Sequence, residues 1–278
     1  MLNQIVVTGY TAVAIINKAI TQIPNNYRSK PYKFEGFYRV TSQKDNSYIH
    51  LSEAVFDIYQ SKINKPKKQF KLAKMRAIKD EKASKGIDLG LKPSGLYESD
   101  IVNSLDKWSF LGKKRHKQYT FTLEGSTLID GQEAYKIAFD QKDSKKSGYK
   151  GYMLIDKETF AFIYFDVGLS PKGLQYHKFG DASLRMMMKI VGINISMFKD
   201  RHKILYKKIN NLYYLNNVAH DAILGFKSDR EHYNFKVNTR VDYVVTKIET
   251  KSVSPFSNNE TLGQGKLVEK QNSIYNPN

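Results

Sequence analysis

Ala12, Ile15, Ile16, Ala19, Ile20 and Ile23 follow the i, i+3, i+4, i+7 spacing that gathers apolar side chains on one side of an α-helix, and Pro24 follows where such a helix stops. A helix over residues 11–23 is predicted. Leu96, Ile101, Val102, Leu105 and Trp108 fall on one helical face, with Ser99 and Asp100 near its start, and predict a second short helix over 96–108. Elsewhere the period is two. Residues 34–40 and 48–59 are rich in aromatic and β-branched residues around the turn Asp45-Asn46-Ser47 and read as a hairpin, although Leu51, Ala54, Val55 and Ile58 also suit a helix. Residues 62–95 read as a long lysine-rich connection with an edge strand near Phe70 to Met75. Tyr119, Phe121 and Leu123 alternate with polar residues, and after Asp130-Gly131 the alternation returns as Tyr135, Ile137 and Phe139. Residues 149–156 and 160–167 are apolar on both faces, as central strands are. Residues 204–209 and 212–218 flank Asn210-Asn211, and Tyr233, Phe235, Val237, Val241 and Tyr243 alternate again. The prediction is an α+β chain, mainly β: a twisted antiparallel meander of at least six strands with two helices packed on it.

Ahead of the first helix, Gln4-Ile5-Val6-Val7-Thr8 is a short β-like run ended by Gly9, which reads as the last strand of something upstream. These apolar residues do not make a secretion signal, because no basic residue precedes them and Lys18 interrupts the next apolar run. Residues 11–250 read as the helix-plus-meander domain, and the polar, aperiodic stretch 251–278 as a poorly ordered tail. With 278 residues and 41% hydrophobic content the chain is long enough for a sizeable core. Cysteine is absent, so disulfides, thiolate metal sites and a cysteine nucleophile are excluded. No apolar run reaches the ~18 residues of a membrane helix.

Against 27 Asp and Glu stand 45 Lys and Arg, a formal charge of +18 that favours polyanions, with concentrations at Lys62 to Lys74 and Lys113 to Lys117. A basic-region helix, a zinc-finger spacing and an aromatic RNP signature are all missing, so nucleic acid is disfavoured as a partner and a solvated basic surface is the plainer reading.

Beyond residues 4–12, Ala19-Ile20, Ile23-Pro24-Asn25-Asn26-Tyr27, Pro31-Tyr32, Gly36-Phe37-Tyr38-Arg39, Leu51-Ser52-Glu53-Ala54-Val55, Asp100-Ile101-Val102-Asn103, Phe121-Thr122-Leu123-Glu124-Gly125 and the run Gly151 to Thr159 complete a pattern. It resembles the carboxypeptidase-like regulatory domain-containing proteins of Bacteroidetes cell envelopes, over roughly residues 4–220. The resemblance implies that residues 1–10 hold the final strand of an upstream β-sandwich, and that the chain works in the periplasm or at the outer membrane. The helix-then-meander order is also similar to that of lipoprotein-carrier half-barrels, whose curved sheet wraps helices around an apolar pocket.

The peptidase association directs attention to His50-Leu51-Ser52-Glu53, which has the H-x-x-E spacing of zinc carboxypeptidases. On a strand, positions three apart face opposite ways, so the pair is not expected to hold zinc, and a third ligand is unmarked among His116, His177, His202, His220 and His232. Nucleophile elbows, phosphate loops and dinucleotide fingerprints are absent from the sequence. Met186-Met187-Met188 and Trp108 read as core filling. The expectation is therefore a non-enzymatic envelope module that needs no metal or cofactor. It would hold an acyl chain, a lipoprotein or an envelope-protein segment on a concave sheet face. Tyr135, Ile137 and Phe139 are the candidate pocket, and Lys113, Lys114 and Arg115 the candidate contact for a head group. Two other readings remain: a zinc peptidase using His50 and Glu53, and a polyanion or nucleic-acid binder acting through charge alone.

Overall fold

The computed structural model describes residues 9–61, 67–85, 87, 90, 92–112, 116–263 and 266–268. Residues 4–8, read as an upstream strand, and Lys113, Lys114 and Arg115 lie outside the described residues. Among those described, ten strands form one antiparallel sheet that curves strongly and does not close. β1 (Tyr32–Lys44), β2 (Ser47–Gln60) and β3 (Lys68–Lys79) make one wing. The other strands form a meander: β4 (Tyr119–Ile129), β5 (Gln132–Gln141), β6 (Tyr149–Asp156), β7 (Phe162–Leu169), β8 (Asn194–Ile209), β9 (Leu212–Ser228) and β10 (Tyr233–Glu249). β10 pairs with β1, which gives the order β3-β2-β1-β10-β9-β8-β7-β6-β5-β4.

Turn chemistry sets much of this. Asp45-Asn46, Asp130-Gly131 and Asn210-Asn211 all have positive φ at both positions, the backbone that two-residue hairpins require. Gly36, at a bulge in β1, leaves its place to the ring of Tyr243, which a Cβ there would strike. Residues 48–59, which suit either element by sequence, are strand, and the strand near 70–75 extends over the whole of β3.

Four helices occur among the described residues rather than two. α1 (Ala12–Asn26) starts at Thr11, whose side chain accepts from the Ala14 amide at 3.2 Å. It continues two residues past Pro24, because a proline in the last turn forfeits only one backbone bond. Asn26 and Tyr27 then fasten the end by donating to the carbonyls of Thr159 (2.8 Å) and Phe162 (2.6 Å). Ile15, Ile16, Ala19 and Ile23 are buried against the concave face. The helix expected over 96–108 is broken into α3 (Pro93–Ser99) and two 3₁₀ turns, Ile101–Asn103 and Leu105–Lys107. The cause is Asp100, whose backbone leaves the helical region, while the Ser104 hydroxyl reaches its carbonyl at 2.7 Å. α2 (Glu81–Ser84) is a single turn. The segment read as a poorly ordered tail packs where it is described. Leu262, Leu267 and Val268 are buried, and the Leu262 amide donates to the Phe70 carbonyl at 2.8 Å.

Asp100 also anchors the segment to the sheet. Its carboxylate is 1% exposed and accepts from Lys68 Nζ on β3 (2.9 Å), Asn103 Nδ2 (2.8 Å) and the Tyr206 hydroxyl on β8 (3.0 Å). Burial, with the Asp100 charge as a further cause, pushes the phenols of Tyr27, Tyr32, Tyr206 and Tyr243 well above their ordinary 10.0.

Two outcomes follow from this arrangement. Lys68→Met leaves a buried carboxylate without its cation, and urea denaturation is expected to show a loss of about 3–5 kcal/mol. A loss below about 1 kcal/mol would mean that the pair does not pin the segment. For the tyrosines the folded pKa lies above the unfolded one, so their contribution is complete below about pH 10 and is lost as the pH rises toward the folded values. Tyrosinate absorbance and circular dichroism are therefore expected to change together in an alkaline transition above about pH 10, whereas gradual ionisation without unfolding would contradict this.

Candidate functional site

The concave face is occupied by the chain itself. α1 covers one part, and Leu96, Ile101, Val102, Trp108, Phe110 and Leu111 cover the next. Tyr135, Ile137 and Phe139 face this core, at 8%, 0% and 3% exposure, with Phe139 stacked on Phe110 at 4.2 Å between ring centroids. A small apolar recess of about 210 Å³ remains between Val13, Ile16 and Ile20 of α1 and Leu111 and Phe121.

His50 and Glu53 separate as strand geometry requires. His50 sits with Ser52, 2.7 Å from its hydroxyl, whereas Glu53 pairs on the other face with Arg39 and Arg76. The Arg76 hydrogen bond leads in holding the Glu53 carboxyl below its usual range, as in an ordinary surface ion triad.

A larger site forms where β7 and β8 part. Their pairing runs only from Gly168↔Arg201 to Tyr164↔Leu205, while β8 extends back to Asn194 beside β9 alone. Gly168 stands at the fork because a Cβ there would lie 2.5 Å from the Asp200 carbonyl. Between the two arms the chain makes an excursion that contains α4 (Ala182–Ile190). Asp181 caps it, accepting from the Leu184 amide at 2.8 Å, and Gly192, with φ at 73°, closes it. The groove between this excursion and the start of β8 has a volume of about 1040 Å³. Leu174, Phe179, Met188, Ile193, Ile195 and Met197 supply apolar lining. Lys178, Arg185, Lys189 and Lys227 supply cations, against one acid, Asp229. The outer side of α4 is apolar as well: Met186, Met187 and Ile190 are 68%, 55% and 73% exposed. Only Met188 of the three methionines is buried.

At the base of the fork, Asp200 and His202 share one face of β8, and His220 lies opposite His202 on β9. Asp200 Oδ1 is 2.6 Å from His220 Nε2 and 3.3 Å from His202 Nε2, and the two imidazoles stack at 3.9 Å and 6°. Burial opposes ionisation of Asp200, but hydrogen bonds from both histidines outweigh it and hold the carboxyl far below its ordinary range. Burial, then the neighbouring His220, pushes His202 down. Sequence reading missed both features. Asp181 and Gly192 mark the ends of α4, and the alternation Asp200-x-His202 on a strand places two polar groups on one face; either was a usable signal.

Among curated proteins none matches the chain. Its path is similar to those of several solved structures at low identity. A DUF1329 family protein from Desulfovibrio piger has a TM-score of 0.39 at 11% identity, covering 88% of this chain and 95% of that one. A putative outer membrane lipoprotein-sorting protein domain from Vibrio parahaemolyticus has 0.35 at 9%, covering 90% and 96%. A LolA superfamily protein from Nitrosomonas europaea has 0.31 at 9%, covering 88% and 96%. Values this low carry over no ligand and no role. The sequence itself decides the family: residues 7–207 match a family of unknown function, DUF5686, and the chain belongs to it.

Proposed function

We propose that this chain is a non-enzymatic module of the cell envelope that binds anionic amphiphiles at a lipid surface through the groove and helix between β7 and β8. The observation that carries the reading is α4, a capped helix whose Met186, Met187 and Ile190 stand in solvent beside Arg185 and Lys189. Leaving three large apolar side chains in water forgoes roughly 1.5–3 kcal/mol each, and a lipid interface recovers part of that while anionic head groups meet the cations. The groove stands at the upper end of the ~300–1,000 Å³ scale of ligand pockets, large enough for an acyl chain to lie along its apolar lining with its head at Lys178, Arg185, Lys189 or Lys227. By contrast the 210 Å³ recess beside α1 takes no more than the end of such a chain. The edges of the sheet favour an amphiphile over a partner strand: the chain's own Leu262 bonds β3 at Phe70, Lys74 and Arg76 stand farther along it, and a bulge around Gly125 with Glu124 beside it interrupts β4. The envelope setting rests on the family resemblance of the sequence, as does assignment of residues 1–10 to an upstream sandwich.

Co-sedimentation with vesicles tests the reading. Phosphatidylglycerol-containing vesicles are expected to bind the protein at about 0.1 M salt and to release much of it when the salt is raised severalfold. Changing Met186, Met187 and Ile190 together to Ser is expected to weaken binding at least tenfold without lowering thermal stability, because all three are exposed. Equal binding to neutral phosphatidylcholine, or no loss in the triple variant, would sink the proposal, and capture of a protein instead of lipid from an envelope extract would redirect it to a partner surface.

A further inference from the structure

We infer that Asp200, His202 and His220 form a site for one first-row divalent cation of the zinc class. Among the described residues these three offer donor atoms that all lie within 4.8 Å of one another. Bonds of ~2.0–2.1 Å to a tetrahedral or octahedral ion separate adjacent donors by about 3 Å. The present distances of 2.6 Å and 3.3 Å from Asp200 Oδ1 to the two Nε2 atoms bracket that value. Small rotations of the rings would admit an ion where the carboxylate now receives two imidazole hydrogens. Two nitrogens and one carboxylate oxygen suit zinc, nickel or cobalt, and are poor donors for magnesium or calcium, which take oxygen.

Three further observations support the inference. The Asp200 side chain is 15% exposed, and among the described residues its ion partners are these two histidines, with no Lys or Arg pairing to it. A divalent ion would supply the missing positive charge. Among the described residues the Nδ1 of His202 is buried without a hydrogen-bond partner, so its imidazole is not committed there to a structural network on that side. Access is present too, since Asp200 is the first residue of β8 beyond the β7 pairing, and the Asp200 and His220 side chains are 15% and 27% exposed. The rings are held for the purpose by their surroundings: Trp108 meets His202 edge to face at 5.3 Å, and the strand pairing His202↔His220 keeps the imidazoles in register. With three protein donors, coordination would be completed by water or by an anionic group arriving from the fork.

Zinc titration of chelator-treated full-length protein, followed by calorimetry, tests this. The expected result is one ion per chain with micromolar or tighter affinity, weakened at least tenfold in both His220→Ala and Asp200→Asn. Cobalt is expected to give visible ligand-field absorption in the parent protein that both variants lose. Where a variant fails to fold, imidazole nitrogen NMR of the parent decides, because zinc is expected to shift the resonances of His202 and His220 and leave His50 and His232 in place. No uptake by the parent protein, or uptake undiminished in folded variants, overturns the site. Vesicle binding by metal-free protein separates this inference from the lipid proposal, since each can fail without the other.

Discussion

An open sheet of ten strands has a concave face far too large to leave wet, and the ion pair between Lys68 and Asp100 fixes how this chain covers it. Lys68 begins the edge strand β3, while the Tyr206 hydroxyl that also donates to Asp100 belongs to β8, near the middle of the sheet. One carboxylate thus ties a connecting segment to strands at both places. Such a pair, 2% and 1% exposed, cannot tolerate loss of one partner, because the remaining charge would sit among phenols with no water to receive it. The broken helix is a consequence: the backbone at Asp100 gives up helical geometry so that the side chain can reach β3 and β8. Leu96, Ile101, Val102, Trp108 and Phe110 are then delivered to the concave face on either side of the anchor.

Because the chain fills its own concavity, the aromatic row of β5 is spent on packing. A sheet of this shape can enclose a pocket only where its covering segments leave space, and here they leave a recess beside α1. The larger opening comes from a mismatch of strand lengths. β8 and β9 run 16 and 17 residues, whereas β7 runs 8, so the long hairpin projects past its shorter neighbour and the connection between them has to travel out along it. That connection carries α4 and the groove.

Strand and turn positions were readable in the sequence because one-sided burial imposes a period of two, and because Asp45-Asn46, Asp130-Gly131 and Asn210-Asn211 adopt positive φ without needing tertiary help. α1 was equally plain from its spacing. The helix over 96–108 misled, since the periodicity of Ile101, Val102 and Leu105 is genuine while the long-range demand on Asp100 is invisible locally. Met186 and Met187 misled for the opposite reason: apolar residues usually mean core, and only the fold reveals that α4 turns them outward. The candidate sites share this difficulty. The groove depends on a fork that exists only through strand pairing, and His220 joins Asp200 and His202 across a register that the sequence does not state.

The same face of the sheet changes character along its strands, and that change explains why polar groups gather at the fork. Beyond Tyr206 and Ile204, the inward positions of β8 become His202 and Asp200. The row across from His202 runs through His220, Val241 and Val40 to Ser52, and the row across from Asp200 runs through Ala222, Thr239 and Ser42 to His50. A second small apolar cluster, built from Ile49, Phe226, Phe235 and Val237, then resumes near the far end. A polar belt between two apolar clusters costs burial energy and so demands internal partners. Ser42 and Thr239 satisfy each other at 3.1 Å, and His50 meets Ser52. At the β8 end of the belt the groups are ionisable and partly exposed, at 15% for Asp200 and 27% for His220. Hydroxyl pairs suffice for structure in the closed part of the belt; a carboxylate shared by two stacked imidazoles, placed at its open end, is chemistry that the belt does not need in order to fold.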